Sequence, residues 1–354
     1  MSGLKRSRNS HTLAERWRTG LEDYVTATAW SADGTLLAAA TASGPVALLA
    51  GDTGEVAATL PGHPSGTLTL AWSPRDRYLA TGGQDGRARL WDPTTGREMA
   101  ALEGGAAWVE HLAWSDAPYL LATAAGRRLN LWSADGQLIR TAEPPHTSTI
   151  SGLVWHPGQR RFATSCYGAV RLHLPLKPEP ADVFEYQGSL IALSWSPDGR
   201  WIVCGCQDAT VHIWETTSGE DLQMRGFETK VRNLSWEPGG RYLATASGMI
   251  ITVWDFSGRG PANTRPRLLS AHQGSVTGLA YQHRGGLLAS GSSDGSVCLW
   301  NPLKQTKPVA FAQGNAPVDN LAWRPDDQSF VCGLASGEVS AWGVPTEGRG
   351  FGRH

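Results

Sequence analysis

His272, Ser290 and Asp294 are the residue types of a nucleophilic triad: a hydroxyl to attack, an imidazole to take its proton, and a carboxylate to orient the imidazole. A second set, Cys204-Gly205-Cys206, spaces two thiols so that a strand would carry both on one face. With Cys166 and a histidine such as His173 or His212, these thiols would supply the four ligands that zinc takes. No glycine-rich phosphate loop opens a helix, and Gly82-Gly83 falls in a strand or turn context, so no nucleotide cofactor is expected. Whether either set does chemistry depends on the elements that carry it.

The triad residues lie in 272–300, where three short apolar runs alternate with tight turns. Asp294-Gly295 between two such runs is a hairpin signal, because the turn needs positive φ and glycine takes it without strain. The same unit recurs along the chain. An aromatic ends each first run at Trp30, Trp72, Trp114, Trp155, Trp195, Trp236, Tyr281 and Trp323, at spacings of 42, 42, 41, 40, 41, 45 and 42. A second series trails it by 18 or 19 residues: Leu49, Trp91, Trp132, Leu174, Trp214, Trp254, Trp300 and Trp342. Fourth runs follow, such as Glu55–Leu60 and Pro308–Ala312. A fixed period near 42 residues with four strands per unit is the signature of propeller blades. The long connection after Trp254 (255–267) is expected to be an exposed loop, and Pro175–Pro180 should delay the fourth strand of the fourth unit until after Pro180.

Stretches such as Gly62-His63, Ala71-Trp72-Ser73-Pro74, Asp85-Gly86 and Leu90-Trp91-Asp92 make the chain resemble the WD40-repeat family over residues 13–342. The resemblance implies an all-β fold, a WD40-type β-propeller of four-stranded antiparallel blades. Eight units predict eight blades, or seven if the first unit, whose third strand ends at Leu49 without a Trp, lies outside the ring. Nothing after Trp342 reads as a strand, so residues 13–19 are expected to pair onto the last blade and close it. Residues 1–12 read as a disordered basic tail and 343–354 as a flexible one.

The family's blades carry a hydrogen-bonded tetrad of His, Ser/Thr, Asp and Trp. It is complete in unit two (His63, Thr81, Asp85, Trp91) and unit seven (His272, Ser290, Asp294, Trp300). Unit four keeps His146 and Thr164. Unit five keeps Asp208 and Trp214, with Cys204 in the hydroxyl slot. Units three and six have Gly126 and Gly248 in shortened turns and lack the acid. A trio that repeats at matching blade positions, completed by an indole N–H, reads as framework and not as a catalytic centre. The cysteines read the same way, as small residues in repeat slots, so neither a metal nor another cofactor is expected.

Lys and Arg total 31 against 32 Asp and Glu, a net charge of −1 that does not favour a polyanionic partner. Five cysteines without a CxxC pair suit a reducing compartment, and the basic N-terminus precedes no apolar signal region. No run of about 18 apolar residues is present, so no membrane span is expected. These features together suggest a cytoplasmic, non-enzymatic scaffold, monomeric by itself, that binds a protein or peptide. Its partner would read the face where the first strands begin. Aligning the units singles out Tyr24, Trp108, Glu110, Lys230, Arg232 and Asp319, where sister units carry smaller or less charged residues.

Overall fold

The computed structural model describes residues 11–116 and 119–345, with strands from His11 to Gly343. One 3-10 turn at Pro74–Asp76 is the only helical segment among the described residues. Each unit is an antiparallel meander. In unit one, Val25–Trp30, Leu36–Thr41, Val46–Ala50 and Val56–Leu60 pair in that order. The second and third strands have both faces covered, and their sequences show it. Leu36–Thr41, Leu121–Ala125 and Trp201–Cys206 are nearly unbroken runs of apolar or small residues. Fourth strands such as Val56–Leu60 are largely exposed.

A single blade cannot bury both faces of its middle strands, so the core forms between blades. Leu37 and Leu49 of unit one, for example, pack with Val331 and Val339 of unit eight. Unit one therefore belongs to the ring despite lacking a Trp at Leu49. The eight first strands touch in cyclic order, the last (Val318–Trp323) against the first (Val25–Trp30). Hydrogen bonding groups these eight repeat units into seven sheets among the described residues. Units four and five share a six-stranded sheet, because Pro180–Trp195 runs without a break from the outer strand of one into the inner strand of the next.

The first-strand Trp residues tie the ring together. Trp30, Trp72, Trp114, Trp155 and Trp323 each donate an indole N–H to Ala322, Ala29, Ala71, Ala113 and Ala280 respectively, carbonyls of the preceding unit, at 2.8–3.3 Å. Each acceptor immediately precedes the first-strand aromatic of its own unit. The series lapses at units five, six and seven, where Trp195 Nε1, Trp236 Nε1 and Tyr281 Oη are buried without a partner among the described residues.

The N-terminal segment closes the ring as expected: Ala14–Gly20 pairs antiparallel with Glu338–Gly343. It also reaches further back. His11 and Thr12 pair in parallel with Ala310 and Phe311 of unit seven, which corrects the placement of both residues in a tail. The backbone groups of the Ala310–Gln313 edge are satisfied there, with His11 and Leu13 donating to Val309 and Phe311. Residues 1–10 and 346–354, the rest of the two expected tails, lie outside the described residues, whereas Gly343 ends the last strand.

Two local expectations change. Leu174 does not occupy the Trp slot of unit four. The slot belongs to His173, eleven residues after Phe162, just as Trp132 follows Leu121 and Trp254 follows Leu243. The connection after Trp254 is not fully exposed either. Phe256, Gly260 and Pro261 are buried, and a Cβ on Gly260 would meet Trp201 at 3.0 Å.

Candidate interaction site

In unit two the tetrad closes directly. His63 Nδ1 lies 2.8 Å from Asp85, His63 Nε2 2.8 Å from Thr81 Oγ1, and Trp91 donates to the same hydroxyl at 2.9 Å. That chain requires His63 to carry its proton on Nδ1 and to accept from Thr81. Arg89 clamps the far side of Asp85 at 2.9 Å. In unit seven the acid is one atom further away. His272 Nδ1 meets Ser296 Oγ at 2.6 Å, and Ser296 in turn donates to Asp294 at 2.5 Å. His272 Nε2 and Trp300 converge on Ser290 Oγ at 2.7 and 2.8 Å. Asp294 also accepts the Gln273 and Gly274 amides. Burial alone would raise its carboxyl, but the hydrogen bonds from Ser296, Gln273 and Gly274 bring it down to about 2. Ser290 is fully buried and hydrogen-bonded on both sides, so it faces no space for a substrate.

Unit four is built differently. His173 replaces the indole and lies 2.9 Å from Thr164 Oγ1, while His146 Nε2 lies 2.7 Å from the same hydroxyl. The Nδ1 atoms of both rings are buried without a partner among the described residues. Burial pushes His146 down to about 4 and His173 down to about 2, with neighbouring charge adding to the shift. Cys204 and Cys206 share a strand and one apolar cluster, and Cys166 is buried as well. Burial holds the Cys204 and Cys206 thiols above their usual range. No group of three or more His, Cys, Asp or Glu side chains among the described residues is placed to hold a metal ion.

The leading ends of the first strands surround the channel mouth. In units one, two, three, five, seven and eight the register slips there, leaving Thr26, Leu68, Glu110, Ile191, Thr277 and Asp319 as bulged residues. A bulge frees a side chain from the pleat's alternation and re-aims it. Several of these side chains link neighbours. Thr26 donates to the Thr67 carbonyl at 2.6 Å, and Thr277 and the matching Ser151 donate to Val318 and Leu190. In units six and eight the next residue takes over: Asn233 donates to Val276 and Asn320 to Val25, both at 3.1 Å. In unit three His111 lies against the Ile150 backbone while burial lowers its basicity. Arg232, Asp319 and Glu110 are thereby released from the linking role.

The structure gathers some of the six expected residues and separates others. Lys230, Arg232 and Asp319 line one pocket of about 330 Å³, together with Asn233, Ser275 and Thr277. Tyr24 lies beside Asp319, close enough for the two groups to affect each other's titration. Asp319 Oδ2 is buried without a hydrogen-bond partner among the described residues. Burial raises its carboxyl above the ordinary range, and Tyr24 opposes the shift. Trp108, 51% exposed, and Glu110 stand apart at unit three.

The WD domain, G-beta repeat profile matches residues 54–92, 180–215, 221–255 and 263–301. The chain is a WD40-repeat propeller. Among curated relatives, this propeller is 27% identical over 208 residues to the U3 small nucleolar RNA-associated protein 4 homolog of Mus musculus, an alignment covering 55% of this chain and 30% of the relative. It is 26% identical over 164 residues to the anaphase-promoting complex subunit cdc20 of Dictyostelium discoideum, covering 44% of this chain and 32% of the relative. The alignments thus span about a third of the length of these relatives. Among solved structures, the computationally designed Ika8 protein superposes with a TM-score of 0.80 at 21% identity, over 93% of this chain and 99% of that one, a likeness of fold.

Sequence reasoning about the propeller missed Ser296, which relays His272 to Asp294, and the asparagines that free Arg232 and Asp319. Both left a signal. Ser296 directly follows the Asp294-Gly295 turn, and Asn follows the second mouth position in the two units where that position is Arg or Asp.

Proposed function

We propose that this WD40 propeller is a non-catalytic scaffold that docks a protein or peptide segment at its channel mouth. The observation that carries the reading is the pocket of Lys230, Arg232 and Asp319, in which a buried carboxylate oxygen has no partner while two exposed cations flank it. A buried acceptor left unmade is costly, and a donor from a partner would satisfy it. The rigid ring fixes these groups, so little conformational freedom is lost on docking. Relatives whose names place them in an anaphase-promoting complex and in association with a small nucleolar RNA support an assembly role. With a net charge of −1, a protein partner suits the chain better than a polyanion. Five unpaired, buried cysteines accord with a reducing compartment, which we take to be the cytoplasm.

The test is affinity capture followed by mass spectrometry with the wild type and with Arg232→Ala and Asp319→Asn. Partners retained by the wild type and lost from both variants are expected. An unchanged partner set would remove the pocket from the function.

A further inference from the structure

A second surface lies at unit three, away from the pocket just described and sharing no residue with it. Gly104, Gly105, Ala106, Ala107, Ala125 and Ala142 floor an open groove of about 700 Å³, and Arg127, Arg128 and Glu143 stand at its sides. The exposed indole of Trp108 directly follows the floor residue Ala107. Small residues let a partner's main chain approach closely, and the flanking aromatic offers contact area at low entropic cost.

The arginines differ from their counterparts one unit earlier. In unit two, Arg87 and Glu103 face each other across paired strands and form an ion pair at 2.9 Å. Arg128 and Glu143 are the matching residues of unit three. There the outer strand stops at Thr141, and the Glu143 amide turns away to the Pro178 carbonyl. Arg128 consequently forms no ion pair among the described residues. Its Nε donates to Asn130, and its side chain lies beside Gly105. Arg127 spends only Nε, on the His146 carbonyl. The terminal guanidinium nitrogens of both arginines carry no hydrogen bond among the described residues. Arg171 donates to the Pro144 and Pro145 carbonyls and likewise meets no carboxylate among the described residues.

We propose that this groove binds an acidic segment of a protein partner in extended form, its carboxylates on the free forks of Arg127 and Arg128 and an apolar side chain against Trp108. Guanidinium forks match carboxylates two nitrogens to two oxygens. Glu143 on the rim favours a segment with spaced carboxylates over the continuous phosphates of a nucleic acid.

Fluorescence anisotropy of the full chain with a labelled glutamate-rich peptide of about ten residues, and with a single-stranded oligonucleotide of matched charge, tests this. The peptide is expected to bind, and more weakly as salt rises. Arg127→Ser with Arg128→Ser should weaken it by about tenfold, the scale of a lost charged hydrogen bond. Arg127→Lys with Arg128→Lys keeps the charge without the fork and should give a smaller loss, which separates recognition from misfolding. Lys230→Ser with Arg232→Ser should leave peptide affinity unchanged, so this proposal and the channel-mouth reading fail independently. No peptide binding, equal binding by the Arg127/Arg128 serine variant, or tighter binding of the oligonucleotide through the same arginines would overturn it.

Discussion

Units seven and four hold the same slots in the propeller and fill them with opposite polar logic. In unit seven the His272 ring is satisfied at both nitrogens, and a Trp indole and an acid complete the chain through Ser290 and Ser296. In unit four two histidines share one threonine, and the outward nitrogen of each is buried and unpaired. Gly168 stands where unit two has Asp85, so the acid is missing, and His173 stands where the indole should be. Apolar contact supplies part of the difference: His173 stacks on Phe162 at 5.0 Å between ring centroids. Polar completeness is therefore not required of every unit. A ring whose units each pack against two neighbours tolerates an unsatisfied member, because neighbouring interfaces share the cost.

The largest effect should come from removing the indole of a complete unit. Trp300→Ala is expected to cost about 3–5 kcal/mol, since Trp300 is fully buried and its loss leaves both a cavity and an unpaired Ser290. A denaturant midpoint shift worth under about 1 kcal/mol would show that the network matters little to that blade.

Acid should act next, and chiefly through the imidazoles that are held neutral. His146 and His272 are pushed down to about 4 and His173 to about 2 by burial. An unfolded histidine titrates near 6.5, so below that pH the unfolded chain takes up protons the folded chain refuses. The stability these groups confer is complete above about pH 6.5 and is lost as pH falls toward the folded values. His173→Phe keeps the stack on Phe162 and removes one such proton. It should flatten the stability–pH slope between about pH 6 and 4 by up to about 1.4 kcal/mol per pH unit. Parallel slopes for wild type and variant would place the acid sensitivity outside unit four.

The smallest effect separates the two complete tetrads. Asp85→Ala and Asp294→Ala should each cost about 1–3 kcal/mol by thermal unfolding. Asp85→Ala should be the worse for its histidine, because His63 loses its only Nδ1 acid directly, whereas His272 keeps Ser296. Equal shifts of the two imidazole resonances by NMR would contradict the relay.

Much of the fold was legible in the residues. The Trp series reports a contact repeated in most units, indole to the neighbouring unit's carbonyl, so its period is the period of the ring. Strand closure by residues 13–19 followed from the missing outer strand after Trp342. The candidate site was legible only in part. Position in a repeat told which side chains were unusual, but the six residues chosen for that reason do not form one patch. Tyr24, Lys230, Arg232 and Asp319 meet, and Trp108 stands beside a different groove.

What the sequence alone determined is what repeats: strand order, turn chemistry, the shared repeat positions of His272, Ser290 and Asp294, and membership of unit one in a series with seven others. These are local or periodic, and each is written many times. Only the tertiary structure decided what depends on a single departure from the repeat. The run of Pro180–Trp195 through two units, His173 rather than Leu174 in the indole slot, the release of Arg232 and Asp319 by Asn233 and Asn320, and the parting of Glu143 from Arg128 are of this kind. The physical reason is that a one-residue slip or an early strand end moves a side chain to another face or another neighbour, and only closure of the ring selects which.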